Sequence, residues 1–215
     1  MTEEPRPSDI IIKLKVKTQA GGTEILNAHH GVLCKSSRFF QRATKPEWTT
    51  SREQPDIIDL PDYSVETISN YIRWLYCDHV PIKVYNEVKA KRTKRAEEAE
   101  KAFVMLAEAY VFGEQILDVK YKNAVVQAVI ATIERSHWNL GPKSVNIIYE
   151  ATPSTSPLRR LFADSVASRA YDDSDGGIGW IDYIDGYPRE ALVDAMKATI
   201  KARSRPEHGL ACRVF

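Results

Sequence analysis

Cysteine is scarce in this chain: there are three among 215 residues, Cys34, Cys77 and Cys212, an odd number placed far apart. That excludes a disulfide framework and leads one to expect a reducing, intracellular setting, cytoplasmic or nuclear. No apolar run approaches the roughly 20 residues a membrane helix needs. The proline-broken, polar start from Met1 to Ser8 has neither the apolar stretch of a secretory signal nor the amphipathicity of a transit peptide. Neither sign of charge is in excess, since 30 basic residues stand against 29 acidic ones and leave a formal +1. No global field therefore draws the molecule to nucleic acid or to a membrane, and any such partner would need a local patch. Internal repeats, a Gly-x-Ser-x-Gly elbow and a glycine-rich phosphate loop are also missing.

What the chain does contain is a change of periodicity along its length. Ile12-Lys13-Leu14-Lys15-Val16-Lys17 alternates apolar and basic, which predicts a strand with one face on a core and its lysines in water. Gln19 to Gly22 supplies turn chemistry, and Thr23 to Leu26 is predicted to return as the second strand of a hairpin. Ile57 to Leu60, bounded by Pro55 and Pro61, reads as a short buried strand. After it Ser64 is placed to cap a helix through Tyr76, with Val65, Ile68, Ile72 and Leu75 as its apolar stripe.

From there the helical period dominates. A long helix is predicted from about Val88 through Phe103, Leu106, Ala107 and Tyr110, ended by Gly113, with Leu117, Tyr121, Val125 and Val129 marking the next. Beyond Leu140-Gly141-Pro142, Ser144 is expected to cap a short helix, Ser156-Pro157 to start another, and Pro188 to open a last one with Leu192, Ala195, Met196, Thr199 and Ile200 on one side. Strands first and helices afterwards describe an α+β unit followed by an all-helical extension.

The stretch from His29 to Phe40 carries the densest chemistry. His29, His30 and Cys34 invite a metal or nucleophile reading, that of a hydrolase or metal enzyme. A structural zinc site, however, needs four ligands, and Cys77, His79, His137 and His208 would have to be recruited from afar. A Cys34 nucleophile with His30 as base would need an orienting group and an oxyanion site, and neither has a local signature. The expectation is a packing segment with no catalytic residue, metal or cofactor, in which Cys34 is a small buried hydrophobe. Asp172-Asp173-Ser174-Asp175-Gly176 resembles a calcium loop, but Tyr171 would take its first position and Asp182 its last, so a solvated acidic turn is expected. Lys89 to Arg95 reads as a solvated helical face before an import signal, and Cys212-Arg213-Val214-Phe215 formally fits a prenylation box, the one route to a membrane.

Three separated blocks in order carry a family resemblance. The first is Ser8-Asp9-Ile10 with Leu26-Asn27-Ala28-His29, Val32-Leu33, Ser37 and Phe40. The second is Ile57, Asp59, Leu60 and Pro61 before a helix ending Trp74-Leu75-Tyr76, and the third is Leu106-Ala107-Glu108-Ala109-Tyr110 with Leu117, Lys120 and Asn123. Together they resemble the BTB/POZ domain over about Ser8 to Ile133, in a layout similar to fungal proteins that carry one such domain and a helical tail.

The resemblance implies a small mixed sheet flanked by helices over 8–133, a helical extension over 140–203, and flexible termini at 1–7 and 204–215. It implies a non-enzymatic protein-interaction module, scaffold or adaptor, often a homodimer and sometimes a substrate adaptor of a cullin-RING ubiquitin ligase. Asp9, His29, Leu33, Ser37, Phe40, Tyr76, Leu106, Ala107, Tyr110 and Asn123 fall on its signature positions. The family's swapped-helix dimer uses a helix before the first strand, where this chain has only Met1 to Pro7, so self-association is expected to be weak. The family's cullin contact places a hydrophobic residue two before a glutamate, and here Lys45 precedes Glu47 and Ser51 precedes Glu53. The surface expected to meet a protein partner comprises Glu47, Trp48 and Glu53 in the loop and Glu66, Asn70 and Arg73 on the capped helix.

Overall fold

A computed structural model describes residues 9–18, 20–81, 92–171 and 179–203. The alternation at the start does what it predicts. Strand β1 (Ile11–Lys17) buries Ile12, Leu14 and Val16 and pairs antiparallel with β2 (Thr23–His29), Leu14 standing opposite Leu26. The tight turn puts Gly21 at φ 81°, a left-handed conformation that glycine adopts without a side-chain clash. The return strand runs on to His29, beyond the expected end at Leu26. Strand β3 (Ile57–Leu60) pairs parallel with β1, Leu14 opposite Ile58, and the order is β2-β1-β3. The lysines of β1 face outward to carboxylates next door, Lys13 to Asp56 at 2.8 Å and Lys15 to Asp59 at 3.3 Å.

Short helices α1 (His30–Cys34), α2 (Arg38–Ala43) and α3 (Pro46–Thr49) make the crossover from β2 to β3. Helix α4 (Val65–Cys77) begins where expected, because the Ser64 hydroxyl accepts from the Thr67 amide at 3.1 Å. Its buried face is Thr67, Ile68, Tyr71 and Trp74, while Val65, Ile72 and Leu75 are only partly covered. The expected stripe is therefore rotated: ring packing of Tyr71 against Phe40, Phe112 and Tyr121, at centroid separations of 6.1, 5.2 and 4.8 Å, sets which face turns inward.

Helix α5 (Arg92–Gln115) does not stop at Gly113. Gly113 is buried inside it, where α6 (Val119–Ser136) comes so close that a Cβ would stand 2.9 Å from Lys122 Cγ and 3.1 Å from Tyr121 Cδ1. The stop comes at Leu117, left-handed at φ 55°: its amide and that of Asp118 donate back to the carbonyls of Glu114 and Gly113. Leu117 is thus an exposed helix stop, outside the apolar face of α6 where its spacing had placed it. Gly113→Ala tests this contact. The gain in helix propensity of about 1 kcal/mol is outweighed by overpacking of about 1–3 kcal/mol, so urea unfolding should show a net loss. An unchanged midpoint would mean that α6 simply moves aside.

The remaining helices are α7 (Pro142–Ala151), α8 (Pro157–Arg169) and α9 (Arg189–Ala202), the last preceded by a 3-10 turn at Ile184–Gly186. Helix α7 starts two residues before Ser144, and its cap comes from another helix: the Glu100 carboxylate of α5 accepts from the amides of Gly141 and Ser144 at 2.8 and 3.0 Å. One apolar core runs unbroken from Leu14 and Phe40 through Phe103 and Tyr110 to Val145, Phe162 and Ala191. On α9, Ala191 and Ala195 are buried, but Met196 and Ile200, expected on the packing side, face outward. Alanines allow α9 to lie close against α8, and close approach leaves no room for the larger residues. Among the described residues no helix is long and apolar enough to cross a membrane. The Asp172 to Gly176 turn, Lys89 to Lys91, the Cys212 to Phe215 box and both terminal segments lie outside the described residues.

Candidate functional site

The His29 to Phe40 stretch is assembled by hydrogen bonds that leave its reactive groups occupied. Asp9 supplies the first: its Oδ2 accepts from the Gly31 amide at 2.7 Å and its Oδ1 from the Ile10 amide at 2.9 Å, so a carboxylate from before β1 caps α1. A Cβ on Gly31 would stand 2.9 Å from that oxygen. The Tyr76 hydroxyl accepts from the His29 amide at 3.0 Å and lies 2.6 Å from His29 Nδ1, so one phenol holds both the backbone and the ring of His29. The ring of His30 points to a different partner. Thr44 donates its hydroxyl to the Phe40 carbonyl at 2.8 Å, so Thr44 Oγ1 accepts from His30 Nε2 at 3.1 Å.

Cys34 Sγ lies 3.5 Å from His30 Nε2 and 3.4 Å from Thr44 Oγ1. The nitrogen nearest the thiol is thus a donor, not a base. Burial, only partly offset by the Thr44 hydrogen bond, pushes the Cys34 thiol up from its ordinary value, the opposite of what a nucleophile or metal ligand requires. His29 and His30 are committed to different neighbours, and among the described residues no group of three candidate ligands gathers to hold a metal.

Packing takes over at the second helix. Buried Ser37 caps α2 by accepting from the Phe40 amide at 3.2 Å and donates to the Ile116 carbonyl at 2.7 Å, which ties the phenylalanine helix to the end of α5. Leu33 and Phe40 are fully buried, as are Leu106, Ala107 and Tyr110. Asn123 stands on the exposed side of α6. One buried polar centre has no counterpart among the sequence expectations: fully buried Asp118 caps α6 through the Tyr121 amide at 3.0 Å and accepts from Ser36 at 2.5 Å and Tyr71 at 2.9 Å. Burial first, and the Asp118 charge second, hold the Tyr71 phenol far above its ordinary range. An aspartate just before an apolar-periodic run was the available signal, obscured by starting that run at Leu117.

The candidate partner surface lies on two separate elements. Trp48 on α3 is 61% exposed, between exposed Glu47 and exposed Glu53. On α4, Glu66 and Arg73 are exposed and Asn70 is half-buried. Behind them Glu108 of α5 is raised above its ordinary value, by burial first and by the like charge of Glu66, with Thr67 Oγ1 at 3.4 Å opposing. The fold thus disfavours the charged form, so stability falls as pH rises from the unfolded value through the raised folded one. Glu108→Gln removes that penalty and should raise the melting temperature slightly at pH 7 and leave it unchanged at pH 4, the gain being small at a part-exposed site. An equal gain at both pH values would rule out the charge as its cause.

The comparisons with known proteins fit this geometry. The BTB/POZ domain family model matches residues 2–105, ending inside α5. No curated protein matches the chain. The matched residues contain the three-stranded sheet, the Asp9 cap, the His29–Tyr76 pair and buried Phe40, and over them the chain carries a BTB/POZ domain, of a family whose domains are protein–protein interaction modules.

Proposed function

We propose that the chain is a non-enzymatic scaffold or adaptor in an intracellular, cytoplasmic or nuclear, setting. In this reading residues 8–133 form the interaction domain, and the helices of 140–203 pack on α5 to shape a second surface. The observation that carries it is Trp48. A tryptophan is the residue type most enriched at binding hot spots, and here it protrudes from a short helix between two exposed glutamates. The hydrogen-bonded closure of His29, His30 and Cys34 supports the same reading, because those groups are engaged in holding the fold.

Cullin recruitment is the narrower reading. The positions two before Glu47 and Glu53 are Lys45 and Ser51, so the apolar group this loop can offer is Trp48 itself. Affinity capture of the full chain followed by mass spectrometry should recover a reproducible protein partner, and Trp48→Ala should reduce its recovery about tenfold or more, the loss of a hot-spot side chain of 2 kcal/mol or so. Recovery unaffected by Trp48→Ala would remove this loop from the interface. Light scattering at two concentrations separates a second copy of the chain from a foreign partner.

A further inference from the structure

We propose that the outward face of α9 docks an acidic amphipathic helix of a protein partner. The proposal rests on the reading of the chain as an interaction protein, but it concerns a helix outside the family-matched residues. Val193, Met196 and Ile200 recur at three- and four-residue spacing and so form one stripe along α9. They are 43, 62 and 63% exposed. Three outward apolar residues in successive turns of one helix are a patch, unlike a scattered exposed leucine.

Charge decides what fits it. Arg189 and Arg203 stand at the two ends of the stripe, and Lys197 and Lys201 along its flank, all exposed. The acids of the helix are committed elsewhere. Glu190 pairs at 2.7 Å with buried Arg159 of α8, and Asp194 accepts from Tyr149 of α7 at 3.3 Å. Lys197 reaches Asp194 only at 3.8 Å, and among the described residues Arg189, Lys201 and Arg203 have no carboxylate within ion-pair distance.

The outward face is therefore apolar and positive in a protein whose total charge is close to zero. The complementary surface carries apolar residues flanked by Asp or Glu. A stripe of two turns, about 10 Å long at 1.5 Å per residue, matches a short helix laid alongside it. Such a contact is small, so the affinity belongs in the weak, micromolar range. A bilayer is the less favoured occupant, since α9 offers no aromatic residue for the interface.

The methionines give a direct reading, because only three are present, Met1, Met105 and Met196. The full chain, labelled with 13C at the methionine methyls, is titrated with a synthetic helical peptide bearing Leu at every third or fourth position and Glu between. A matched peptide with Lys in place of Glu, and vesicles containing phosphatidylserine, form the other arms. The Met196 methyl should shift saturably with the acidic peptide while Met105 stays in place. The shift should weaken several-fold between about 0.05 and about 0.5 M salt, and should be lost in Val193→Glu/Ile200→Glu, which keeps the reporter and alters only exposed positions. No Met196 shift at millimolar acidic peptide, an equal response to the Lys peptide, or a response to vesicles alone would overturn the proposal. None of these results touches Trp48, so failure here is distinguishable from failure of the broader reading.

Discussion

Asp118→Ala should lower the stability of the chain by about 3–5 kcal/mol in urea unfolding, a large fraction of the roughly 5–15 kcal/mol an ordinary domain has. The carboxylate is fully buried and receives three donors from three parts of the fold: the Ser36 hydroxyl between α1 and α2, the Tyr71 hydroxyl of α4 and the Tyr121 amide of α6. Alanine leaves all three without an acceptor, at about 1–3 kcal/mol for each buried donor that finds no water, and also removes the α6 cap, worth about 1 kcal/mol. Asp118→Asn keeps an oxygen for the Tyr121 amide but turns an amino group toward two hydroxyls, and should cost about half as much. The Tyr71 phenol should remain resistant to titration in both variants, because burial is the first cause of its shift and the charge of Asp118 the second. A loss under about 1 kcal/mol for alanine would mean that the three donors find other partners and that Asp118 does not join these helices.

The parts of the fold legible in the sequence are those whose determinants lie close together along the chain. Ile12, Leu14 and Val16 alternate with lysines, and β1 buries those three. Ser64 precedes its helix by one residue and caps it. The inward turn of Tyr71 and Trp74 was not legible, because the rings that receive them come from α2, α5 and α6. Gly113 shows the same limit. By its own chemistry it suggests a helix end, and only the approach of Tyr121 and Lys122 makes it a mid-helix contact.

For the candidate site, the signature residues Asp9, His29, Ser37 and Tyr76 fall into hydrogen bonds that hold α1 and α4 to the sheet and α2 to the end of α5. Their roles could be anticipated only through the resemblance, since Asp9 acts on Gly31 and His29 on Tyr76 across long stretches of chain. Glu100 and Arg159 had no local signal at all. Each looks like an ordinary surface charge on a helix until the helix it caps is placed beside it.

Arg159→Ala should loosen the C-terminal helices and cost about 2–4 kcal/mol, mainly from buried acceptors at the end of α7 that lose their donor, since the Glu190 side chain is 56% exposed and its ion pair adds little. The guanidinium is buried on α8 and gathers the end of α7. It donates to the carbonyls of Tyr149, at 2.6 Å, and Thr152, to Thr152 Oγ1 at 3.1 Å, lies over the Tyr149 ring at 4.4 Å, and pairs with Glu190 of α9. One side chain thereby satisfies carbonyls that the end of α7 cannot satisfy itself and fixes α9 beside them. Lysine keeps the charge but has neither the fork nor the flat face, so Arg159→Lys should retain little of the stability. Hydrogen exchange should localise the damage, with α7 and α9 exchanging faster and the β1–β3 amides still protected; uniform acceleration would mean that the extension is not a separable layer. The change also releases Glu190 and so adds a free negative charge to α9. If the outward face of α9 recruits an acidic helix, Arg159→Ala should weaken that binding even where exchange shows α9 intact, and Arg159→Ala/Glu190→Gln should restore it.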